Sequence, residues 1–166
     1  MIPRAPLLIK QATEEDVPLI LTFISELAQH EKALERVTAT QEGLRVTLFG
    51  PRPFAEAVIA YRNDEPMAFA IYFFSYTSFS ALPGLYLEDI FVSPAARGQG
   101  VGRQLFAFLA QKALERNCAR MEWSVLNWNQ LAMRFYEKLS AEHVHDWTVL
   151  HLSREKLAPL TAATSR

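Results

Sequence analysis

A glycine-rich turn between a predicted strand and a predicted helix constrains this chain more than any other feature of its sequence. The turn reads Arg97-Gly-Gln-Gly-Val-Gly102, with glycines at positions 98, 100 and 102. Glycine has no Cβ, so the backbone amides of such a turn can approach a ligand closely. The start of the next helix adds N–H groups without intrahelical partners and the positive end of its dipole. The turn therefore predicts an anion-binding loop, to which Arg97 and Arg103 would add charge-assisted hydrogen bonds.

The spacing of these glycines argues against two common phosphate-binding loops. A Walker loop requires Gly-x4-Gly-Lys-Ser/Thr, and neither Lys-Ser nor Lys-Thr follows the turn. A dinucleotide fingerprint reads Gly-x-Gly-x-x-Gly early in a βαβ unit, whereas these glycines come late, after predicted antiparallel strands. The pattern here is Arg-x-x-Gly-x-Gly. The alternative to an anion site is a merely flexible turn between strand and helix.

The composition of the chain fits one compact α/β domain. Of its 166 residues 50% are hydrophobic and 21% are charged, which predicts a substantial core. We expect a single domain over residues 1–166, with a core at 7–152 and a C-terminal tail at 153–166. The formal net charge of −1 offers no electrostatic reason to bind nucleic acid or an anionic membrane.

The number of cysteines and the length of the apolar stretches bear on the cellular compartment of the protein and on whether it spans a membrane. Cys118 is the single cysteine, so it can form neither an internal disulfide nor a thiolate metal cluster, and a reducing, cytoplasmic compartment is expected. The longest strongly apolar stretch, Met67–Phe74, has 8 residues, far fewer than the ~20 of a membrane-spanning helix. No signal peptide pattern opens the sequence.

Hydrophobic periodicity predicts an alternation of strands and helices. One stripe of apolar residues at helical spacing begins at Val17, after a Thr13-x-x-Asp16 cap signal. Pro18 leaves two options: a helix that starts near Asp16, or one that bends in its first turns. The predicted helices cover residues 13–28, 40–48, 101–113 and 129–140. The predicted strands cover residues 7–10, 54–61, 67–76, 86–92, 120–125 and 143–152.

Several strings in the sequence carry a family resemblance. The turn Arg97-x-x-Gly100-x-Gly102 and the preceding Ile90-Phe-Val-Ser-Pro94 resemble the acyl-CoA pyrophosphate loop of the GNAT acetyltransferase superfamily. Further strings resemble its diamine (spermidine/spermine) N-acetyltransferase family: Leu85-Tyr-Leu-Glu-Asp-Ile-Phe-Val92, Trp128-Asn129, Phe135-Tyr136 and Glu26-Leu-Ala-Gln-His-Glu31. Within that family, Val125–Met133 is closer to the thialysine-acetylating branch.

The resemblance implies a fold and a cosubstrate. The fold is α/β and of GNAT type: a mixed, mostly antiparallel central sheet of six to seven strands flanked by about four helices. The sheet is splayed to admit the pantetheine arm, and the protein is a homodimer. Acetyl-CoA would be the cosubstrate, with no metal. Its implied binding residues are Ile90, Phe91, Val92, Arg97, Gly98, Gln99, Gly100, Val101, Gly102, Arg103, Asn129 and Tyr136.

The reaction poses two proton problems. An alkyl ammonium must lose a proton before it attacks the thioester, at a cost of roughly 4–5 kcal/mol at pH 7. Glu88 matches the family carboxylate that meets the substrate amine, directly or through water; a structural ion pair is the alternative. Tyr136 resembles the tyrosine that faces the leaving sulfur, where a phenol can act as a general acid. A core aromatic is the alternative for Tyr136.

Other candidate substrate residues are His30, Glu31 and Asp89. Strand alternation predicts that Glu88 and Asp89 point to opposite faces and cannot act as a pair. Glu88 would lie with Tyr86 and Ile90, and Asp89 with Leu87 and Phe91. Asp89 is then expected to be a buried acid that supports the strand. His30 and Glu31 match a family pair at the end of the first helix, or else form a solvent-exposed helix end. The spacing of the four histidines does not suggest a metal site.

Three functions remain open on the sequence. The first is transfer of an acetyl group, by direct attack through a tetrahedral intermediate, to a small diamine, polyamine or thialysine-like amine. The second is acetylation of protein lysines or N-termini, and the third is a non-catalytic CoA sensor. Two departures from the family bear on this: Tyr76-Thr-Ser-Phe79 lacks an acidic residue, and Ser140-Ala141 replaces Gly-Ala. The fourth helix must therefore end without glycine in its left-handed cap.

Overall fold

The chain folds into two compact units, one ending at Ser124 and the other beginning at Val125, in a computed structural model that describes residues 5–162. The first unit contains a sheet of five strands in the order β1-β2-β3-β4-β5. All neighbouring pairs are antiparallel except β4 and β5, which are parallel. The strands are β1 Leu8–Gln11, β2 Glu56–Arg62, β3 Glu65–Thr77, β4 Leu82–Val92 and β5 Met121–Trp123. The mixed, mostly antiparallel sheet is thus confirmed.

Of the α-helices in the described part of the chain, three belong to the first unit and two to the second. The first three are α1 Val17–His30, α2 Gln41–Phe49 and α3 Val101–Glu115, and the last two are α4 Gln130–Glu137 and α5 Arg154–Ala162. Single 3-10 turns cover Glu14–Asp16, Leu34–Arg36 and Pro94–Ala96. No helix within residues 5–162 is long and apolar enough to cross a membrane.

The start of α1 resolves the two options that Pro18 left open. The Thr13 N–H donates a hydrogen bond to Asp16 Oδ2 at 2.7 Å, which closes a capping box over the 3-10 turn. The α-helix itself begins at Val17, so Pro18 lies in its first turn, where a missing N–H costs nothing. The helix therefore starts late and does not need to bend.

Apolar side chains cover both faces of the sheet. On one face, Phe23 of α1 stacks on Phe69 of β3 with ring centroids 5.2 Å apart. Residues of α1 and α2 share this core with alternate residues of β2, β3 and β4, among them Ala57, Ile59, Ile71 and Phe91. The residues between these on the strands point the other way. Helix α3 contacts β3 and β4 on that second face, through the buried Val101, Leu105 and Leu109.

Strand β4 carries a bulge at Glu88. Tyr72 of β3 lies opposite Leu87, and Ile71 lies opposite Asp89, so Glu88 is the extra residue. Strand β5 pairs with β4 only from Leu85 to Leu87. Beyond Leu87, no strand among residues 5–162 pairs with that edge of β4. The sheet therefore opens along the last five residues of β4.

The number of elements differs from the expectation. The sheet has five strands, not six to seven, because residues 143–152 form no strand. The apolar side chains of that segment are 66–89% exposed at Val144, Trp147, Val149 and Leu150, so they cover no sheet. Helix α5 was not predicted, since Pro159 inside it argues against a helix. Helix α5 lies within the expected C-terminal tail, residues 153–166, and residues 163–166 of that tail lie outside the described part of the chain.

Candidate active site

The glycine turn forms a cradle at the start of α3. Gly98 and Gly100 have φ angles of 71° and 78°, the left-handed region that L-residues avoid. A Cβ placed on either glycine would meet no atom within 4 Å, so open space lies above both. The first helical hydrogen bond runs from Gln104 N–H to Gly100 O. The N–H groups of Val101, Gly102 and Arg103 therefore have no partner within the helix.

Two arginines flank this cradle. Arg97 Nε donates a hydrogen bond to Val92 O at 3.1 Å, and the guanidinium lies 5.6 Å from the centroid of the Phe91 ring. Arg97 is thus bound to the end of β4 while its residue stays exposed. Arg103 is exposed in the first turn of α3. Both cations lie beside the helix N-terminus, which also favours anions.

Gln99 connects the cradle to the β2–β3 hairpin. Its Oε1 accepts a hydrogen bond from Arg62 Nη1 at 2.5 Å, and its Nε2 donates to Ala95 O at 2.7 Å. The Gln99 side chain therefore bonds to the protein, which leaves its backbone N–H as the group that can serve a ligand. Sequence reasoning missed Arg62. No spacing rule links it to a turn that lies 35 residues further along the chain.

The open edge of β4 leads from this cradle. Ser93 N–H donates to Met67 O across the β3–β4 pair. In an antiparallel pair, backbone groups of alternate residues face the partner strand. Phe91 therefore bonds towards β3, and the N–H and C=O groups of Ile90 and Val92 face the opposite edge. The Phe91 side chain is buried in the core, so only its backbone borders this site.

Three carboxylates lie around the bulge of β4. The extra residue breaks the alternation, so Asp89 shares a face with Tyr86 and not with Leu87 as expected. Burial, followed by the charges of Glu88 and Glu31, raises the pKa of Asp89 from 3.8 to about 6. The carboxylates of Glu88 and Asp89 thus act on each other, which the strict alternation had argued against. The half-buried Asp89 and the exposed Glu88 form an acidic cluster with Glu31.

The end of α1 positions Glu31. The Glu31 N–H donates to Leu27 O, and Lys32 then adopts a left-handed φ of 57°. Ala33 N–H donates back to Ala28 O at 2.8 Å, which completes a Schellman-type end. His30 is the exposed last residue of the helix. The cap therefore fixes the position from which the charge of Glu31 reaches Asp89.

Asn129 and Tyr136 belong to the second unit. The Asn129 side chain accepts a hydrogen bond from Ala132 N–H at 3.1 Å, so it caps α4. Its carbonyl oxygen is thus used within the protein, while the amide nitrogen is the group that can serve a ligand. Tyr136 is half-buried on α4, with its ring centroid 5.4 Å from that of Phe135.

The residues at the start of α3 fit a pyrophosphate group. Space above the two left-handed glycines, N–H groups at a helix N-terminus and two exposed arginines are what an anion of this kind requires. The open edge of β4 adds backbone donors and acceptors for an amide-containing arm. Among residues 5–162, no group of three or more His, Cys, Asp or Glu residues could hold a metal ion.

Comparison with known proteins gives three findings. Residues 22–141 match the profile of the Acetyltransferase (GNAT) family. A thialysine N-epsilon-acetyltransferase from Bos taurus is 34% identical, over 89% of this chain and 91% of the relative. An L-ornithine N5-acetyltransferase from Arabidopsis thaliana is 28% identical, over 90% of this chain and 85% of the relative. A solved integron cassette protein from V. cholerae superposes with a TM-score of 0.78 at 24% identity, over 93% of this chain and 97% of that one.

Proposed function

The chain belongs to the GNAT acetyltransferase family, and we propose that it transfers the acetyl group of acetyl-CoA to a primary amine of a small diamine, polyamine or thialysine-like molecule. The observation that carries this proposal is the cradle at the start of α3, which adjoins the open edge of β4. One feature serves the diphosphate of the coenzyme and the other its pantetheine arm. The acidic cluster of Glu31, Glu88 and Asp89 would receive a cationic amine.

The donor side of the reaction relies on backbone groups. Acetyl-CoA supplies an acetyl thioester, whose carbonyl oxygen gains negative charge as the amine attacks. Ile90 has an N–H on the open edge of β4, where it can donate a hydrogen bond to that oxygen. A fixed donor of this kind stabilises the developing charge without reorganisation. Backbone groups of Ile90 and Val92 would also hold the pantetheine amides.

The acceptor side requires a base. Deprotonation of an alkyl ammonium at pH 7 costs roughly 4–5 kcal/mol. We assign proton removal to the exposed Glu88, directly or through water, while Asp89, Glu31 and His30 bind the amine. An approaching cation favours the ionised form of Asp89, whose pKa of about 6 is raised by burial first and by its neighbours second. A positively charged ligand therefore stabilises the ionised form of the cluster most.

The leaving thiolate requires a proton, and we assign that step to Tyr136. This role follows from the family resemblance, as does the assignment of Asn129 to the coenzyme. Tyr136→Phe should lower kcat about a hundredfold, within the usual range for loss of a general acid, while coenzyme affinity stays nearly unchanged. Steady-state kinetics with calorimetric CoA binding would check both. An unchanged kcat would remove Tyr136 from this role.

The substrate class is tested by acetyl-CoA turnover with a panel of amines. Release of free thiol is followed with thialysine, ornithine, spermidine and lysine-containing peptides. Turnover with the small amines alone supports the proposal, and turnover with peptides alone would replace it by protein acetylation. Tight CoA binding without any turnover would indicate a sensor. Cys118 is half-buried and can react with thiol reagents, so Cys118→Ser provides a low-background control.

Three further properties are proposed from the resemblance and the sequence. The enzyme is expected to be a homodimer, so sedimentation equilibrium should give twice the mass of one 166-residue chain. A monomer at enzyme concentrations that support full turnover would contradict it. A single domain and a cytoplasmic setting are proposed on composition and on the lone Cys118.

A further inference from the structure

Arg62 has the chemistry and the position to control the glycine cradle from outside it. It is the last residue of β2, and its Nη1 donates to Gln99 Oε1 at 2.5 Å across 37 residues of sequence. Gln99 Nε2 in turn donates to Ala95 O at 2.7 Å. The Gln99 amide is therefore held at both ends. One end is bonded to the hairpin and the other to the segment that precedes the cradle.

The backbone explains why these residues meet. Asn63 and Asp64 have φ angles of 51° and 62°, so a two-residue turn of the kind that favours hairpins joins β2 to β3. This turn places Arg62 opposite Glu65, at the end of the β2–β3 ladder. Ala68 lies opposite Val92, and Ser93 N–H bonds to the neighbouring Met67 O. The tip of the hairpin thus lies beside the chain as it leaves β4 for the cradle.

The burial of Arg62 indicates a structural task and not contact with a ligand. Its Nε is buried and has no hydrogen-bond partner among the described residues. A buried donor without a partner is unfavourable for folding, so another contact of Arg62 must offset that cost. A ligand cannot reach the buried Nε, and the observed Nη1 bond goes to Gln99. The contact that the structure shows for this purpose is the hydrogen bond from Arg62 to Gln99 of the cradle.

We propose that Arg62 is a positioning residue for the coenzyme: it fixes Gln99, and through Gln99 the turn from Arg97 to Gly102, with its N–H groups ready for the diphosphate. This inference rests on the proposed function. Binding is tighter when a loop is held in its bound conformation beforehand, because less conformational freedom is lost. Arg62 would therefore act on coenzyme affinity without touching the coenzyme.

A double-mutant cycle separates this role from a direct contact. Arg62→Met and Gln99→Met each remove one end of the same bond, so each should weaken CoA binding about tenfold, and the double variant should be no weaker than either one. Arg52→Met removes the same charge from the exposed connection between α2 and β2 and should leave affinity unchanged. Additive losses in the double variant would instead indicate that Arg62 contacts the coenzyme, and would overturn the proposal.

Two more readouts distinguish positioning from charge and from general instability. Affinity for dephospho-CoA should fall by the same factor as affinity for CoA, since both carry the diphosphate; a loss confined to CoA would mean that Arg62 contacts the 3′-phosphate. Hydrogen exchange of the amides at 97–103 should accelerate in Arg62→Met, while exchange in α1 stays as in the wild type. Unchanged exchange at 97–103 would contradict the mechanism.

Kinetics provide the last discrimination. Arg62→Met should raise KM for acetyl-CoA about tenfold and leave kcat and KM for the amine within about twofold. Wild-type CoA affinity in Arg62→Met would refute the positioning role and leave the proposed function intact. Absence of CoA binding by the wild-type protein would refute the proposed function itself. If Arg62→Met does not fold, Gln99→Met tests the same bond from the cradle side.

Discussion

Burial and two neighbouring charges act on a single carboxyl group at Asp89. They raise its pKa from 3.8 to about 6, so the folded protein holds this proton more tightly than the unfolded chain does. The stability due to the protonated group is fully present below pH 4 and is lost as the pH rises through about 6. Above that pH, the ionised carboxylate costs the folded state roughly 3 kcal/mol at most. An amine bound in the cluster would offset this cost.

Asp89→Asn should remove that dependence on pH. The variant is expected to be more stable than the wild type at pH 8, with a difference that shrinks towards pH 4.5, because asparagine carries no charge to bury. Urea unfolding at several pH values measures the free energy of unfolding. Asp64→Asn is the matched control, since Asp64 is exposed in the hairpin and asparagine tolerates its left-handed φ of 62°. A variant less stable than the wild type at pH 8 would mean that Asp89 is ionised and paired.

At the scale of the element, the end of α4 shows what the replacement of glycine does. Ser140 follows the helix with a φ of 59°, and Ala141 N–H donates back to Tyr136 O at 3.1 Å. The serine therefore adopts the left-handed cap that glycine occupies most easily. A non-glycine residue in this region costs about 1 kcal/mol or more. The local geometry of the helix end is kept at the expense of stability.

Ser140→Gly should relieve this strain. The expected gain is about 1 kcal/mol in the free energy of unfolding, because glycine adopts positive φ without a Cβ clash. Ala141→Gly is the matched control: Ala141 does not have a positive φ, so glycine there only adds freedom to the unfolded chain and should destabilise by about 0.5–1 kcal/mol. Thermal and urea unfolding of both variants give the comparison. Equal effects of the two substitutions would contradict a strained cap.

Sequence patterns predicted most elements but not their irregularities. The cap at Thr13, the stripe of α1 and the amphipathic face of α3 all arise from local spacing, and the structure confirms each. The bulge at Glu88 arises from the register between β3 and β4, which no local pattern encodes. The bulge separated Asp89 from Leu87 and placed it on the face of Tyr86, whereas Phe91 shares a face with Asp89 as predicted. The side chains of residues 143–152 alone predicted a strand. A strand also requires a neighbouring strand to which its backbone can bond, and side-chain character does not show whether one is present.

The residues of the candidate site also fall into those that local sequence patterns predicted and those that they did not. The cradle from Arg97 to Arg103 was found because its glycines and its helix start are contiguous in sequence. Glu31 was found through the resemblance, and the structure places its charge near Asp89. Arg62 was missed, because its role depends on the hairpin tip lying beside the exit of β4. Contacts between distant segments thus set the limit of what the sequence could predict.

At the scale of the whole molecule, the proposed binding of the coenzyme would be linked to folding. A ligand that binds only the native state stabilises it by about 2.7 kcal/mol when its concentration is a hundred times Kd. For a chain of 166 residues, that corresponds to a rise in Tm of about 5–10 °C. Pantetheine lacks the diphosphate, so it should give a much smaller rise. Differential scanning fluorimetry with either compound measures the effect of the cradle on the stability of the protein.

Gly100→Ala should abolish most of this rise in Tm at the same CoA concentration. The added Cβ enters the open space above the cradle, and alanine resists the φ of 78°. Asn117→Ala controls for that backbone strain, because it places alanine at a φ of 54° beyond the end of α3. Both variants should therefore melt below the wild type without ligand, yet only Gly100→Ala should lose the response to CoA. An equal loss of the CoA response in Asn117→Ala would mean that general destabilisation causes the loss. That result would contradict coenzyme binding at the glycine turn.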